Sequence, residues 1–413
     1  MSIFLYILPG ALLCFLPSFR KKGASELLTY SVGASLSAYI LLSWSSHFVR
    51  FSFLGAIYLV LIASTLLLIA EHNKIKMPAS SLDSVELMVL GSLLLVVILR
   101  LVPMLAQVVP SGEQMGALGY SARLIFDGDG LSRLTTTYMS GFPAVSGAMS
   151  LLNGMPAYHN MLIVSCAAFG LFTFALYVLL IKFFDRITSI CSSVVVCFVL
   201  LSPQELMAGG GGPALLASFF ILLAVALVAE QKEGLDKGKS ALALVLLLAS
   251  VIVLPVYPQY LSFTFLLWAA PVAMLIAPGV SRLLSSKNVK LFVILSIICL
   301  TIYYVYYIRL SDDACPVTSA DMQAFEWLDK TTGKDLVFAV NRGDAGIWLP
   351  AVTGRRTTYS LAGDGPKAKA PSYIYIGSKK VGSAQFSSEE LYAKPYRYRL
   401  LFIKDGASVW KIL

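Results

Sequence analysis

The chain has 413 residues, of which 57% are hydrophobic and only 13% charged, with a mean hydropathy of +0.77 and a formal net charge of +9. Repeated long apolar runs on this scale exclude an ordinary soluble globular protein and point to transmembrane helices. The positive charge does not point to nucleic acid, because the Lys and Arg residues fall in short stretches between apolar runs, where membrane topology uses them.

Counting roughly 20 apolar residues per crossing predicts about ten spanning helices. They fall at approximately 3–19, 27–46, 51–70, 84–105, 158–183, 187–207, 213–230, 240–257, 259–278 and 290–309. Arg20, Lys21 and Lys22 follow the first apolar stretch rather than precede it, so this stretch is expected to stay as the first helix rather than be cleaved. Pro255 and Pro258 predict a tight turn between the eighth and ninth spans.

The basic residues Arg20–Lys22, Lys74 and Lys76, Lys182 and Arg186, Lys232 to Lys239, and Arg282 to Lys290 recur in alternate loops. By the positive-inside rule these loops are cytoplasmic. The loop 106–157, both termini and everything after 310 are then extracytoplasmic, at a cell (plasma) membrane. Five of the six cysteines lie in apolar runs; Cys315 alone falls in a stretch expected to meet water. No paired spacing suggests a metal.

From residue 311 the composition changes. The segment 311–413 reads as a small extracytoplasmic α/β domain, and 1–310 as the transmembrane domain. Thr318 with Asp321 three residues on has the form of a capping box opening a helix. Strand-like runs follow at 336–340, 356–360, 373–376, 397–403 and 408–412, with a second short helix starting near Ser387. The Asp405-Gly406 pair between the last two strands is a hairpin signal.

Candidate chemistry concentrates in the loop 106–157, since long structured loops tend to carry function. Glu113 precedes a stretch in which Met115, Leu118, Ala122 and Ile125 share one side of a short helix, expected to lie at the membrane surface. A carboxylate there can take the proton of an acceptor hydroxyl, or simply complement the helix dipole. Asp127 and Asp129, in Asp-Gly-Asp-Gly, form a plain turn or share a divalent cation through oxygen ligands. Arg123 and Arg133 flank that turn and can hold a phosphate or lipid head groups. Arg100 sits inside an apolar run near its outer end, where it snorkels or lines a cavity. His159, just after Pro156, reads first as a structural or interfacial group at a helix start. Gly211, in Gly-Gly-Gly-Gly-Pro before a helix, allows either close backbone packing or a substrate contact.

Several short motifs resemble one family. Residues 138–143, YMSGFP, followed by 150–158, SLLNGMPAY, are similar to the outer-loop pattern of prokaryotic GT-C type membrane glycosyltransferases. The stretch from Pro110 to Glu113 and on to Ile125 resembles their acidic first-loop motif, and 211–213 their Gly-Gly-x-Pro-like turn. Residues 321–328, 348–355 and 373–377 resemble their tail. The resemblance implies a GT-C-like fold and transfer of a sugar from a polyprenyl-phosphate-linked donor to a glycan, lipid or protein acceptor of the cell envelope. It implies Glu113 as the base and arginines on the lipid phosphate; no cofactor follows with certainty, and a divalent cation stays open. The chain departs from the pattern at three places: Glu113 where Asp is usual, and Pro143 and Ala117 where His is usual. These departures keep a second reading open, a non-catalytic scaffold or lipid-linked-sugar-binding subunit.

Overall fold

A computed structural model describes residues 7–19, 22–49, 52–70, 107–110, 112–127, 141–199, 211–231, 236–253, 260–285, 315–341, 343–358, 370–379 and 385–413, with isolated positions at 91, 95 and 98. The chain is mostly helical, with a small sheet at its C-terminal end. The helices are α1 (Ala24–Val49), α2 (Phe53–Ala70), α3 (Glu113–Phe126), α4 (Gly141–Asn153), α5 (Ala157–Leu180), α6 (Arg186–Val199), α7 (Gly212–Ala229), α8 (Lys237–Val253) and α9 (Tyr260–Ser285). Three more belong to the C-terminal domain: α10 (Ser319–Thr331), α11 (Leu349–Thr353) and α12 (Ser388–Tyr392).

Among the described residues, four helices are long and apolar enough to cross a membrane: Ala24–Ser46, Phe53–Ala70, Ala157–Leu180 and Gly212–Ala229. They match four of the expected spans. The expected spans at 84–105 and 290–309 lie almost wholly outside the described residues. α5 and α7 are buried in the bundle, whereas α2 turns Leu59, Ile62, Leu66 and Ile69 outward. A face this apolar is compatible with a lipid surround and costly in water.

Two expectations need correction. Past Ile7 the first expected span does not continue as an α-helix. Residues Gly10–Phe15 form a 3-10 helix capped by Pro9, and Leu16 leaves it in extended conformation ahead of Pro17. Six residues at about 2 Å of rise each are too short to cross a bilayer. The segment packs so tightly that a Cβ on Gly10 would fall 1.8 Å from the carbonyl oxygen of Ser31 in α1. The second correction concerns the long loop 106–157. Besides the expected short helix, here α3, it holds a second, α4, in which all ten residues from Gly141 to Ser150 are buried. Small residues explain this: a Cβ on Gly141 would meet Ile40 and Val253, and one on Gly147 would meet Ile125. Where Cβ atoms are missing, helices approach closely.

The charges expected on one side of the membrane do gather at one end of the bundle. Glu26 at the start of α1 pairs with Lys182, which follows α5, and with Lys22 at 3.7 Å. Glu230, which follows α7, pairs with Lys22, Lys182 and, at 3.0 Å, Lys239 of α8. The Lys22 ammonium also lies 4.8 Å from the centre of the Tyr30 ring.

The C-terminal domain is built on a five-stranded sheet, β1 (Val337–Val340), β2 (Arg356–Thr357), β3 (Tyr373–Ile376), β4 (Tyr398–Lys404) and β5 (Ala407–Ile412), in the order β2-β1-β3-β5-β4. β1 pairs parallel with β2 and β3; β5 is antiparallel to β3 and β4. The expected strand 356–360 is represented by β2, and its remainder from 359 lies outside the described residues. The Asp-Gly hairpin forms as expected: Asp405 (φ 41°) and Gly406 (φ 90°) both take positive φ, as a type I′ turn requires. The Thr318–Asp321 capping box forms in full.

The chain leaves β1 toward β2 on one side and returns to β3 on the other, so a crevice opens at the carboxyl ends of β1 and β3. Two buried carboxylates fill it. Asp321 accepts from the Tyr375 hydroxyl at 2.7 Å, Ser378 N at 2.8 Å and Thr318 N at 2.8 Å. Asp344 accepts from Gly346 N at 2.7 Å and Gly377 N at 2.9 Å. Burial pushes the Asp344 carboxyl up from 3.8 to about 6, with the charge of Asp321 adding to it and the two N–H groups opposing it. Folded Asp344 therefore keeps a proton through a range in which the unfolded chain releases it. Its contribution to stability is full below pH 3.8 and is lost as pH rises through about 6. The loss is on the order of 2–3 kcal/mol. Melting wild type and Asp344→Asn at pH 4 and pH 7 checks this: the wild type should lose ground to the variant at pH 7. Parallel pH slopes for the two would overturn the assignment.

Candidate functional site

α3 connects the bundle to the C-terminal domain. Gly112, at φ 102°, lets the chain turn into the helix. Met115, Leu118, Ala122 and Ile125 are all buried, as their shared side predicts. The helix does not lie free at a surface, however, because its other side is covered too. A Cβ on Gly116 would sit 2.6 Å from the carbonyl oxygen of Ile347, and one on Gly119 would sit 2.8 Å from the Trp348 ring and 2.9 Å from Ala351. Two glycines three residues apart thus let the turn Ala345–Trp348 and α11 settle directly on α3. Cys315 completes the join. Its thiol is buried, not exposed as the sequence suggests, and it donates to the carbonyl of Val109 at 3.8 Å and that of Val317 at 3.4 Å.

At the C-terminal end of α3 this junction leaves a cleft of about 350 Å³. The bundle contributes Arg123, Phe126, Asp127 and the turn from Gly154 to Tyr158. The domain contributes Met322, Phe325, Glu326, Asp329 and Lys330 from α10, with the end of α11 behind them. Arg123 holds the two walls together. Its Nε donates to Asp127 at 3.0 Å, and its Nη1 donates to the carbonyls of Val352 and, at 3.4 Å, Ala351. Those carbonyls end α11, where a cation is favoured by the helix dipole. On the far side Arg355, wholly buried, donates to Asp329 at 2.9 Å, to Leu328 O at 2.7 Å and to Thr332 Oγ1 at 3.0 Å. Tyr158 lies half-buried within reach of the charges of Glu326 and Arg123.

Of the residues singled out by the sequence, Arg123 and Asp127 meet in this cleft. His159 stands exposed beside it, its ring 4.7 Å from that of Tyr158, in keeping with an interfacial group at a helix start. Glu113 opens α3 at the other end. Ten positions before Arg123, its backbone is about 15 Å away along the helix. Gly211 is buried at the start of α7 and does not line the cleft. A Cβ on the adjacent Gly212 would meet Ser165 Oγ at 2.9 Å and the Phe142 ring at 3.2 Å, which is the close-packing role. Arg100, Asp129 and Arg133 lie outside the described residues. Among the described residues no group of three or more His, Cys, Asp or Glu side chains is placed to hold a metal.

Tyr158 closes the 150–158 motif and Glu326 lies within the 321–328 one, but neither stood out there as a site residue, and Asp329 and Lys330 fall in no motif. For the α10 residues the further signal is the spacing of Met322, Glu326, Asp329 and Lys330, which puts all four on one stripe of the helix. Comparison with family models, with curated proteins and with solved structures finds no match for this chain.

Proposed function

We propose that the protein is a membrane glycosyltransferase of GT-C type. In this reading it moves a sugar from a polyprenyl-phosphate-linked donor to a hydroxyl acceptor on the outer face of the membrane. The observation that carries it is the cleft where the loop helix α3, the start of α5 and the C-terminal domain meet. A transferase of this kind must bring a donor anchored in lipid to an acceptor held in water, and a junction between apolar helices and a polar domain suits that task. The lining fits as well: Arg123 and Lys330 offer positive charge to a phosphate, and Tyr158 and Phe126 offer aromatic faces to a sugar ring. In the same reading the chain has about ten spans, both termini lie outside, and the Lys22–Lys182–Glu230 cluster marks the cytoplasmic end.

One observation favours the second reading, a non-catalytic subunit that binds lipid-linked sugar or supports envelope assembly. Glu113, the base implied by the resemblance, begins at the opposite end of α3 from the cleft.

The test is transfer itself. Full-length protein in phospholipid vesicles is supplied with radiolabelled polyprenyl-phosphate mannose or glucose, and with native membranes as the source of acceptor. Label should leave the polyprenyl fraction only when protein is present. Tyr158→Ala, which removes an aromatic wall of the cleft, should slow that loss by about tenfold. Label that stays on the polyprenyl lipid under every condition would sink the transferase reading and leave the binding subunit.

A further inference from the structure

We infer that Glu326, a residue of the C-terminal domain, accepts the proton of the acceptor hydroxyl in this cleft; the inference rests on the transferase reading above. Three carboxylates line the cleft: Asp127, Glu326 and Asp329. Two of them are already engaged. Asp127 takes a charge-assisted bond from Arg123 at 3.0 Å, and Asp329 takes one from Arg355 at 2.9 Å. Each of them already has an oxygen bonded to a guanidinium, which leaves it less free to accept from an incoming hydroxyl. Glu326, by contrast, is exposed and makes no hydrogen bond or ion pair among the described residues. It stands on the stripe of α10 that faces the bundle, and its charge reaches Tyr158 on the opposite wall.

A hydroxyl entering between Tyr158 and Glu326 meets a free acceptor for its proton on the domain side. Arg123 lies on the bundle side, where a lipid phosphate would come. The step balances as a displacement. The acceptor oxygen forms a bond to the anomeric carbon of the sugar, and the bond from that carbon to the phosphate oxygen breaks. The electron pair leaves on the polyprenyl phosphate, whose growing charge faces Arg123 and Lys330, and the hydroxyl proton passes to Glu326. Because Glu326 belongs to the water-side domain, the acceptor class is a polar, hydroxyl-bearing molecule that approaches along α10, such as a glycan or a hydroxylated polypeptide. A second prenyl lipid would approach from the bundle instead.

The experiment compares wild type, Glu326→Gln, Glu326→Asp and Glu389→Gln in the vesicle assay with radiolabelled polyprenyl-phosphate mannose and glucose. Thermal melting verifies that each variant is folded, and co-sedimentation of the donor with protein verifies binding. We expect Glu326→Gln to lower kcat by 100-fold or more, to leave donor binding within threefold and to abolish the acidic limb of the pH–rate profile. Glu326→Asp should retain part of the rate and the limb, and Glu389→Gln, at an exposed carboxylate of α12, should stay within threefold of wild type. Transfer within threefold of wild type in Glu326→Gln overturns the assignment while leaving the transferase reading intact. A loss of rate that keeps the acidic limb assigns Glu326 a structural role and also overturns it. Absence of transfer by the wild type removes the reading on which the inference rests.

Discussion

Replacing Gly116 by leucine is expected to separate the C-terminal domain from the bundle and to destroy the cleft. A Cβ at this position would lie 2.6 Å from the carbonyl oxygen and 3.0 Å from the carbonyl carbon of Ile347. Both are backbone atoms, so no rotamer change relieves the clash. The other side of α3 cannot yield either, because Met115, Leu118 and Ala122 are buried against the bundle. Overpacking of this kind costs about 3 kcal/mol. A shift of even an ångström would also pull Arg123 from the carbonyls of Ala351 and Val352, the bonds that join the two walls. Limited proteolysis in vesicles should release a C-terminal fragment from the variant and not from wild type, and transfer of label should be lost. Gly116→Ala should fall between them. A leucine variant that resists protease and melts like wild type would show that α3 does not hold the domain.

The second large effect is expected at the other end of the bundle. Glu230 is the common partner of Lys22, Lys182 and Lys239, and it is nearly buried. Burial alone would raise its carboxyl, but hydrogen bonds and charge from Lys182 and Lys22 outweigh that and hold it down to about 2. Its stabilising contribution is therefore present above the ordinary value of 4.5 and is lost as pH falls through about 2. Glu230→Gln leaves three lysines converging with only Glu26 to answer them. The cost is about 3 kcal/mol, since a half-removed buried ion pair is worse than none. Melting in detergent at neutral pH reads this directly. A cycle with Lys182→Gln should give a coupling of at least about 1 kcal/mol. Additive effects would mean that the cluster is solvated and contributes little.

Local chemistry made much of the fold legible. The capping box at Thr318 and the Asp405-Gly406 hairpin both follow from rules that act within a few residues. The four long apolar helices follow from composition over a single window. α4 was hidden for the opposite reason. Its Gly, Ala and Ser residues mimic a loop in composition, and only its neighbours Ile40, Ile125 and Val253 explain why it is a buried helix. The 3-10 turn at Gly10–Phe15 was hidden because its apolar run resembles a span, while Pro9 and Pro17 keep it short.

The candidate site divides along the same line. Arg123 and Asp127 are four residues apart on one helix, so their pairing is a property of the sequence. The meeting of Arg123 with Val352 and Glu326 joins positions more than 200 residues apart, and no local pattern contains it. The sequence by itself determined the apolar character, the helix and hairpin signals and the alternation of basic loops, because each depends on neighbours along the chain. The tertiary structure alone decided that these three carboxylates share one cleft and that, of the two on α10, Asp329 is taken by an arginine and Glu326 is not. Asp127 meets Arg123, Asp329 meets Arg355, and Glu326 faces the cleft with neither.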